Sequence, residues 1–368
     1  MGDTALAHKS TGEVWGWGTN WSGQIGDNSI SGRSSPVLVV GDHSFFGLCF
    51  GDYHCGANKV NGECWGWGFN GNGQLGNNTK DAVSSPILVI GSHSFIKVSG
   101  GSAMTYGLKT TGEEWAWGYG SAVGDNTVID KSSPVLVVGD HSFVGLCGGY
   151  QMGSGYKIDG AIWTWGNNYY GQLGNGSLDH KSSPVLVIGN HSFVNKMNCG
   201  PNFCGAVKVN GEVWRWGRNT AGQLGTNNIT SYSSPVLVVG NHSFVEISAA
   251  NLSSLARKAN GEVWCSGSNS GGVLGTNEAD SSSHSSPVLV IGNHSFIEIF
   301  GGNGWALSRK SNGEVWSWGI NSSGALGHND LVSYSSPVLV VGNHSFDTLS
   351  YLSGGATKTG PFPLAFRI

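Results

Sequence analysis

Apolar and polar residues alternate over short segments of this chain, and the alternating segments return about every 50 residues. The stretch "SSPVLVVGDHSF" at residues 34–45 recurs six more times with small changes. A second stretch, "GEVWGWG" at residues 12–18, recurs with the same period. No segment shows the 3.6-residue periodicity of an amphipathic helix, so the pattern predicts an all-β repeat protein.

Each unit predicts four short strands. In residues 241–290, "HSFVEISA" forms the first strand, "SSLARKA" the second and "EVWCSG" the third, with an Asn-Gly turn between the second and third. A glycine-rich loop then leads to "SPVLVI", whose leading proline suits an edge strand. Four-stranded repeats of about 50 residues are typical of propeller blades. The seven copies therefore predict a seven-bladed β-propeller.

The two ends of the chain predict how the ring closes. The chain begins with a second strand and ends with a first strand, so the C-terminal strand is expected to complete the N-terminal blade. We predict one propeller over residues 1–359 and an apolar tail over residues 360–368. In the tail Phe362, Leu364, Phe366 and Ile368 alternate as in a half-buried strand, which would dock on its own propeller or on a partner's sheet edge.

The repeated aromatic residues are expected to serve the fold. The two indoles of each W-x-W segment point to one face of a strand and would fill the space between blades. The histidines from His43 to His344 occur once per blade, too far apart to share a metal, and we expect each to hydrogen-bond within its turn. The recurring glutamates are expected to be solvated strand-start residues: Glu13, Glu63, Glu113, Glu212, Glu262 and Glu314.

Composition excludes several classes of function. The net charge of −4 gives no basic surface for nucleic acid, and no apolar run is long enough to span a membrane. We expect no metal, no cofactor and no catalytic residues, since no known catalytic motif is present. The N-terminal residues lack an apolar signal core, which leaves the compartment open between the cytoplasm and a virion surface. The cysteines are predicted to be small, unpaired core residues: Cys49, Cys55, Cys64, Cys147, Cys199, Cys204 and Cys265.

The segments "GEVWGWG" and "GQLG", followed by a Pro-Val strand, resemble the regulator of chromosome condensation repeat family. The resemblance covers nearly the whole chain and implies a seven-bladed propeller. The founding member of the family is a nucleotide exchange factor for the small GTPase Ran and binds chromatin. The family's G-x-x-H segment occurs here only once, ending at His54, and neither a basic tail nor a wedge-like inserted hairpin is present. We therefore do not transfer the exchange activity.

The candidate site comes from comparing the copies with one another. The "NGE" and "HSF" turns share one face of the predicted propeller and hardly vary, whereas the loops of the other face vary and carry aromatic residues. Aromatic residues and arginine are common anchors of interfaces. The predicted binding residues are Trp21, Tyr53, His54, Phe69, Tyr119, Tyr150, Tyr169, Tyr170, Phe203, Arg218, Trp305 and Ile320.

Two hypotheses follow for the function. The first is a non-enzymatic binding propeller that recognises a protein or glycan through the variable face, as in a phage virion or surface-fibre component. The second is an intracellular regulator, such as a small-GTPase exchange factor or a ubiquitin-ligase-associated module. A nucleotide-release assay would discriminate between them, as would loss of ligand binding when the aromatic loop residues are changed.

Overall fold

The computed structural model describes residues 4–189, 191–278, 282–342, 346 and 348–352. The described strands form seven antiparallel sheets of four strands each, arranged as a propeller. Apart from two short 3-10 turns, Gly120–Ala122 and Ser270–Gly272, these ranges contain no helix. The tail residues Phe362, Leu364, Phe366 and Ile368 lie outside the described residues, as does His344.

The sheets are numbered as blades in chain order, and within each blade the first strand lies nearest the central axis. In blade order the strands are β28 (Thr348–Leu352), β1 (Thr4–His8), β2 (Val14–Gly18) and β3 (Arg33–Leu38); β4 (Gly47–Phe50), β5 (His54–Asn58), β6 (Cys64–Gly68) and β7 (Val83–Leu88); β8 (Lys97–Gly100), β9 (Met104–Leu108), β10 (Glu114–Gly118) and β11 (Lys131–Leu136); β12 (Gly145–Gly149), β13 (Met152–Tyr156), β14 (Ile162–Gly166) and β15 (Lys181–Leu186); β16 (Phe193–Cys199), β17 (Phe203–Lys208), β18 (Val213–Gly217) and β19 (Tyr232–Leu237); β20 (Glu246–Ala249), β21 (Ser253–Arg257), β22 (Val263–Ser268) and β23 (Ser283–Leu289); β24 (Glu298–Gly301), β25 (Trp305–Arg309), β26 (Val315–Gly319) and β27 (Tyr334–Leu339).

The ring closes as the two ends of the sequence predicted. Strand β28, from the C-terminal part of the chain, pairs antiparallel with β1 and becomes the first strand of the first blade. The register runs from Thr4 opposite Leu352 to His8 opposite Thr348. Backbone hydrogen bonds between the two ends of the chain thus hold the first blade together.

The second indole of each W-x-W segment fills the space between blades, as predicted. Trp67 is fully buried and its Nε1 donates a hydrogen bond to the carbonyl oxygen of Gln24 in the preceding blade at 3.0 Å. Its ring stacks on Phe45 with a centroid separation of 5.8 Å. Because Gln24 belongs to the repeated "GQLG" type of segment, the three most constant motifs of the repeat meet at the blade interface.

The repeated histidine has a different role from the one expected. In the six described copies the imidazole packs against the first tryptophan of the next blade, with centroid separations of 4.3–4.5 Å. The predicted hydrogen bond from the ring is wrong for these copies, because the turn brings the imidazole over an indole face. A Cβ on Gly41 would lie 2.7 Å from Nε2 of His43, and Gly41 has a φ of +104°, so both the contact and the backbone require glycine.

The recurring glutamates make side-chain contacts that the sequence did not indicate. Glu63 is partly exposed, yet its carboxylate lies 3.3 Å from Nζ of Lys59 and accepts a hydrogen bond from Nε1 of Trp65 at 3.3 Å. The Lys59 ammonium lies 4.7 Å from the centre of the Trp65 ring. Lysine, glutamate and tryptophan therefore form a compact surface triad. The fourth blade has Ala161 in place of the glutamate.

The cysteines are buried as predicted, but two of them are paired. Cys199 and Cys204 form a disulfide, which corrects the prediction that all seven are unpaired. They lie directly opposite each other on β16 and β17, at the two sides of a tight turn. Their spacing across a predicted hairpin was the signal that the sequence analysis missed. The other five cysteines are buried and belong to no disulfide among the described residues.

Candidate functional site

The third-to-fourth loops, which join the third and fourth strands of each blade on the variable face, are held by a buried asparagine in six blades. The side-chain oxygen of Asn20 accepts the backbone N–H of Ile25 at 2.9 Å. Its amide nitrogen donates to the carbonyl oxygens of Ser29 at 3.0 Å and Ser31 at 3.1 Å. Asn70, Asn168, Asn219, Asn269 and Asn321 accept the equivalent N–H in their own blades. The loop tips are therefore presented by a fixed scaffold, which suits a binding surface.

Two adjacent blades place an aromatic and cationic cluster on this face. Tyr169 is 70% exposed and Tyr170 is 36% exposed, both at the tip of the fourth blade's loop. The guanidinium of Arg218 in the fifth blade lies 5.1 Å from the centre of the Tyr170 ring. Nε of Arg218 also donates to Oγ1 of Thr220 at 3.0 Å, which orients the side chain. We call Tyr169, Tyr170 and Arg218 the tyrosine–arginine patch.

Six other predicted residues lie on the variable face, and their side chains differ in exposure. Trp21 is 74% exposed and Phe69 is 39% exposed, each at the tip of its own third-to-fourth loop. Four more are partly buried, namely Tyr53, Tyr119, Tyr150 and Ile320. Together with the tyrosine–arginine patch, these residues leave a discontinuous aromatic surface on the described part of the face.

Three predicted binding residues do not reach the surface. His54, Phe203 and Trp305 are at most 1% exposed and lie between blades, so their assignment to the site is wrong. The cause is that each of these residues begins a second strand, at β5, β17 and β25, and does not belong to the tip of the first-to-second turn. The N–H of Gly51 bonds to the carbonyl oxygen of His54 at 2.9 Å, leaving only two residues at the tip. The fourth residue of each segment therefore begins the second strand and points inward.

Buried His54 should make the protein sensitive to acid. Burial lowers the pKa of His54 to about 4, and Nε2 lies 3.0 Å from Oγ1 of Thr105. Since the unfolded state binds a proton near pH 6.5, stability is complete above that pH and falls progressively toward pH 4. The shift corresponds to about 3 kcal/mol.

The His54→Met variant tests this sensitivity, because methionine occupies the equivalent position in the third and fourth blades at Met104 and Met152. The variant should lose less thermal stability between pH 6.5 and pH 4.5 than the wild type, measured by calorimetry. Parallel pH dependences in the two proteins would contradict the assignment.

The residues at the hairpin tips surround the axis of the ring and contact one another. Oγ of Ser102 donates to a carboxylate oxygen of Asp52 at 2.6 Å, and Nδ2 of Asn251 donates to Oδ1 of Asn303 at 2.9 Å. Burial raises the pKa of Asp52. The pKa of Tyr150 is raised by burial and then by the nearby Asp52 charge. Polar contacts between neighbouring blades thus tie together the axial part of the variable face.

The sequence analysis missed a set of exposed aliphatic residues in the outer halves of the third-to-fourth loops. They follow the polar segment of each loop and lie mostly in solvent: Ile30, Val128, Leu178, Ile229 and Leu331. Their recurrence at one position of the repeat was the available signal. Aliphatic side chains are weaker indicators of an interface than aromatic and arginine side chains, so this recurrence alone did not predict a contact surface. These side chains extend the apolar part of the face toward its rim.

The chemistry of the described residues favours binding. Among them, no group of three histidine, cysteine, aspartate or glutamate side chains is arranged to hold a metal ion. In the part of the chain that the structure describes, no helix is long and apolar enough to cross a membrane. The exposed aromatic, cationic and aliphatic side chains of the variable face match the composition of protein interfaces.

The repeats match a known family. Residues 61–108, 159–207, 210–256 and 312–358, just over half of the chain, match the family model for the regulator of chromosome condensation (RCC1) repeat. No curated protein matches the chain significantly.

Several solved structures share the fold. Yeast RCC1 (Prp20), solved bound to Kap60, has a TM-score of 0.84 and 18% identity over 96% of this chain and 91% of that one. Prp20p from Saccharomyces cerevisiae has a TM-score of 0.82 and 19% identity, covering 92% of this chain and 88% of its own. Human WBSCR16 has a TM-score of 0.80 and 19% identity, covering 90% and 94%. At these identities the likeness shows the fold alone.

Proposed function

The chain belongs to the regulator of chromosome condensation (RCC1) repeat family, and we propose that it is a non-enzymatic propeller that recognises a protein through its variable face. The tyrosine–arginine patch is the observation that carries the proposal. Tyrosine and arginine dominate interface hot spots, because each combines a large contact area with directional polar groups. Here both residue types lie side by side on loops that buried asparagines hold in place.

A protein ligand is better supported than a glycan. The crystal structure of yeast RCC1 (Prp20) is described as bound to Kap60, and that of Prp20p reports binding properties to Gsp1p and histones. Those partners are proteins, and the present chain shares the fold. The described strands all belong to the seven blades, so in these ranges no extra hairpin projects from the face as a nucleotide-displacing wedge. We therefore place protein recognition ahead of nucleotide exchange.

The proposal can be tested without knowing the natural partner. The purified full chain is used to select ligands from a displayed random-peptide library and, separately, to probe a glycan array. We expect peptides rather than glycans to be enriched. Their binding should fall at least tenfold when Tyr169, Tyr170 and Arg218 are all changed to alanine.

A matched variant controls for general loss of apolar surface. Val60, Ile158 and Val209 are more than four-fifths exposed on the opposite face, and changing them to serine should leave the selected peptides bound. Enrichment of glycans alone would contradict a protein ligand. Equal loss of binding in both variants would contradict the proposed face.

A further inference from the structure

Six blades carry the same three-residue arrangement on the face opposite the variable loops. A lysine Nζ lies 3.1–3.6 Å from a glutamate Oε2, and the first tryptophan of W-x-W donates its Nε1–H to that oxygen at 3.2–3.5 Å. The same lysine lies 4.3–4.7 Å from the centre of the indole ring. A carboxylate thus sits between two donors in each of these blades.

The fourth blade keeps the backbone of this arrangement without the carboxylate. The N–H of Lys157 bonds to the carbonyl oxygen of Ala161 at 2.9 Å, and the equivalent bond from Lys59 to Glu63 is also 2.9 Å. The N–H of Gly160 closes the turn onto the carbonyl oxygen of Lys157 at 3.0 Å, again as in the other blades. The Cβ of Ala161 therefore stands where a glutamate side chain begins elsewhere, and the rest of that side chain is missing.

The two donors of the fourth blade are left without an acceptor. Nε1 of Trp163 is shielded from solvent and has no hydrogen-bond partner in the described structure. Lys157 has no ion pair among the described residues, and its Nζ lies 5.4 Å from the indole centre, farther than in the other six blades. Asp159 does not replace the glutamate, because its Oδ1 accepts the backbone N–H of Ala161 at 2.9 Å. An unpaired buried donor of this kind costs free energy that an acceptor would recover.

Space for a ligand adjoins Trp163, one of the two donor residues. An open groove of about 500 Å³ runs between the third and fourth blades, with Trp163, His141 and Ser183 among the residues that line it. Trp163 is thus shared between the groove and the vacant carboxylate position.

We propose that Lys157 and Trp163 form a binding site for a carboxylate, and specifically for a glutamate or aspartate side chain of a partner protein. The ligand's carboxylate takes the position that the chain's own glutamate takes in six blades, accepting from the indole N–H and pairing with the ammonium. A protein side chain is favoured over an acidic sugar because a glutamate side chain takes the equivalent position in the six other blades. The site lies on the face opposite the tyrosine–arginine patch and is independent of it.

The test follows the indole signals of the tryptophans by ¹H–¹⁵N NMR during titration with sodium acetate. We expect one signal to shift saturably, identified as Trp163 by its absence from the Trp163→Phe variant. Acetamide, which has the same shape without the charge, should shift no indole signal at equal concentration. N-acetylglutamate α-amide should shift the Trp163 signal at a lower concentration than glucuronate. Its carboxylate ends an unbranched side chain like that of the glutamates in the other blades, whereas the carboxylate of glucuronate is attached to a sugar ring.

Two variants of the same protein serve as matched controls, one filling the vacant position and one creating a second. Ala161→Glu supplies the missing carboxylate, so the acetate response of Trp163 should disappear while the fold is retained. Glu212→Ala empties the fifth blade, so a second indole signal, that of Trp214, should begin to respond. The proposal is overturned if no indole responds, if acetamide acts as strongly as acetate, or if the response survives in Ala161→Glu. A stronger response to glucuronate than to the glutamate derivative would overturn the assignment to a protein side chain.

Discussion

A chain that ends at residue 346 is expected to lose its closed ring and most of its stability. The truncation removes β28, which pairs with all five residues of β1. Ala5, Leu6 and Ala7 of β1 are fully buried, so both the backbone hydrogen bonds and apolar surface would be exposed. We expect the free energy of unfolding to fall by more than about 5 kcal/mol, beyond the effect of an ordinary substitution.

The measurement is the thermal midpoint by calorimetry, together with hydrogen exchange of the first blade. A chain that ends at residue 352 is the matched control, because it keeps β28 and its register with β1. This control should melt close to the full chain, whereas the shorter chain should melt far lower and exchange rapidly over β1 and β2. Equal midpoints for the two truncations would show that closure does not depend on β28.

The second prediction with a large effect on stability concerns two residues that depart from the repeat together, at the interface of the fifth and sixth blades. Ser266 stands where the other blades have their second tryptophan, and Arg215 of the fifth blade fills the space. Nη1 of Arg215 lies 3.3 Å from Oγ of Ser266, and 3.4 Å from the carbonyl oxygen of Gln223, which belongs to the segment that accepts the indole N–H in other blades. Arg215 is almost fully buried, and burial lowers its pKa to about 10.

Changing either Arg215 or Ser266 alone should lower the free energy of unfolding. Ser266→Trp drives an indole into the space of Arg215 and removes an acceptor from a buried cation, for a loss of about 4 kcal/mol. Arg215→Ala leaves a cavity at the interface and should cost about 3 kcal/mol. The double variant restores the arrangement of the other blades and removes a buried charge, so it should be at least as stable as the wild type.

Thermal midpoints of the two single variants and the double variant measure the coupling between the sites. A midpoint for the double variant at or above the wild-type value supports mutual compensation. If the losses of the single variants simply add in the double variant, Arg215 does not substitute for the missing indole.

The architecture could be predicted from the sequence because one unit is written seven times. Each copy carries its own turn, strand and tryptophan signals. A strand that is ambiguous in one copy can therefore be assigned from the equivalent segments of the others. The positions of the chain ends within the repeat also predicted the pairing of β28 with β1. The role of the histidines was not predictable in the same way, because a ring that packs against an indole and a ring that hydrogen-bonds have the same sequence pattern.

The candidate site was predicted less well, since it depends on which residues of a turn are exposed. His54, Phe203 and Trp305 were grouped with the turn, but each begins a second strand and its side chain points into the core. The tyrosine–arginine patch was predictable as separate residues, but the contact between Tyr170 and Arg218 joins two blades and required the structure. The disulfide between Cys199 and Cys204 likewise depends on strand register, which composition does not reveal.

The central claim is that the residues which do not repeat form the recognition surface on a scaffold made by those that do. Hydrogen exchange of the full chain with and without a selected peptide ligand tests it most directly. The account predicts slower exchange in the third-to-fourth loops of the fourth and fifth blades, around Tyr170 and Arg218. Protection confined to the opposite face, at the turns around Val60 and Val209, would contradict it.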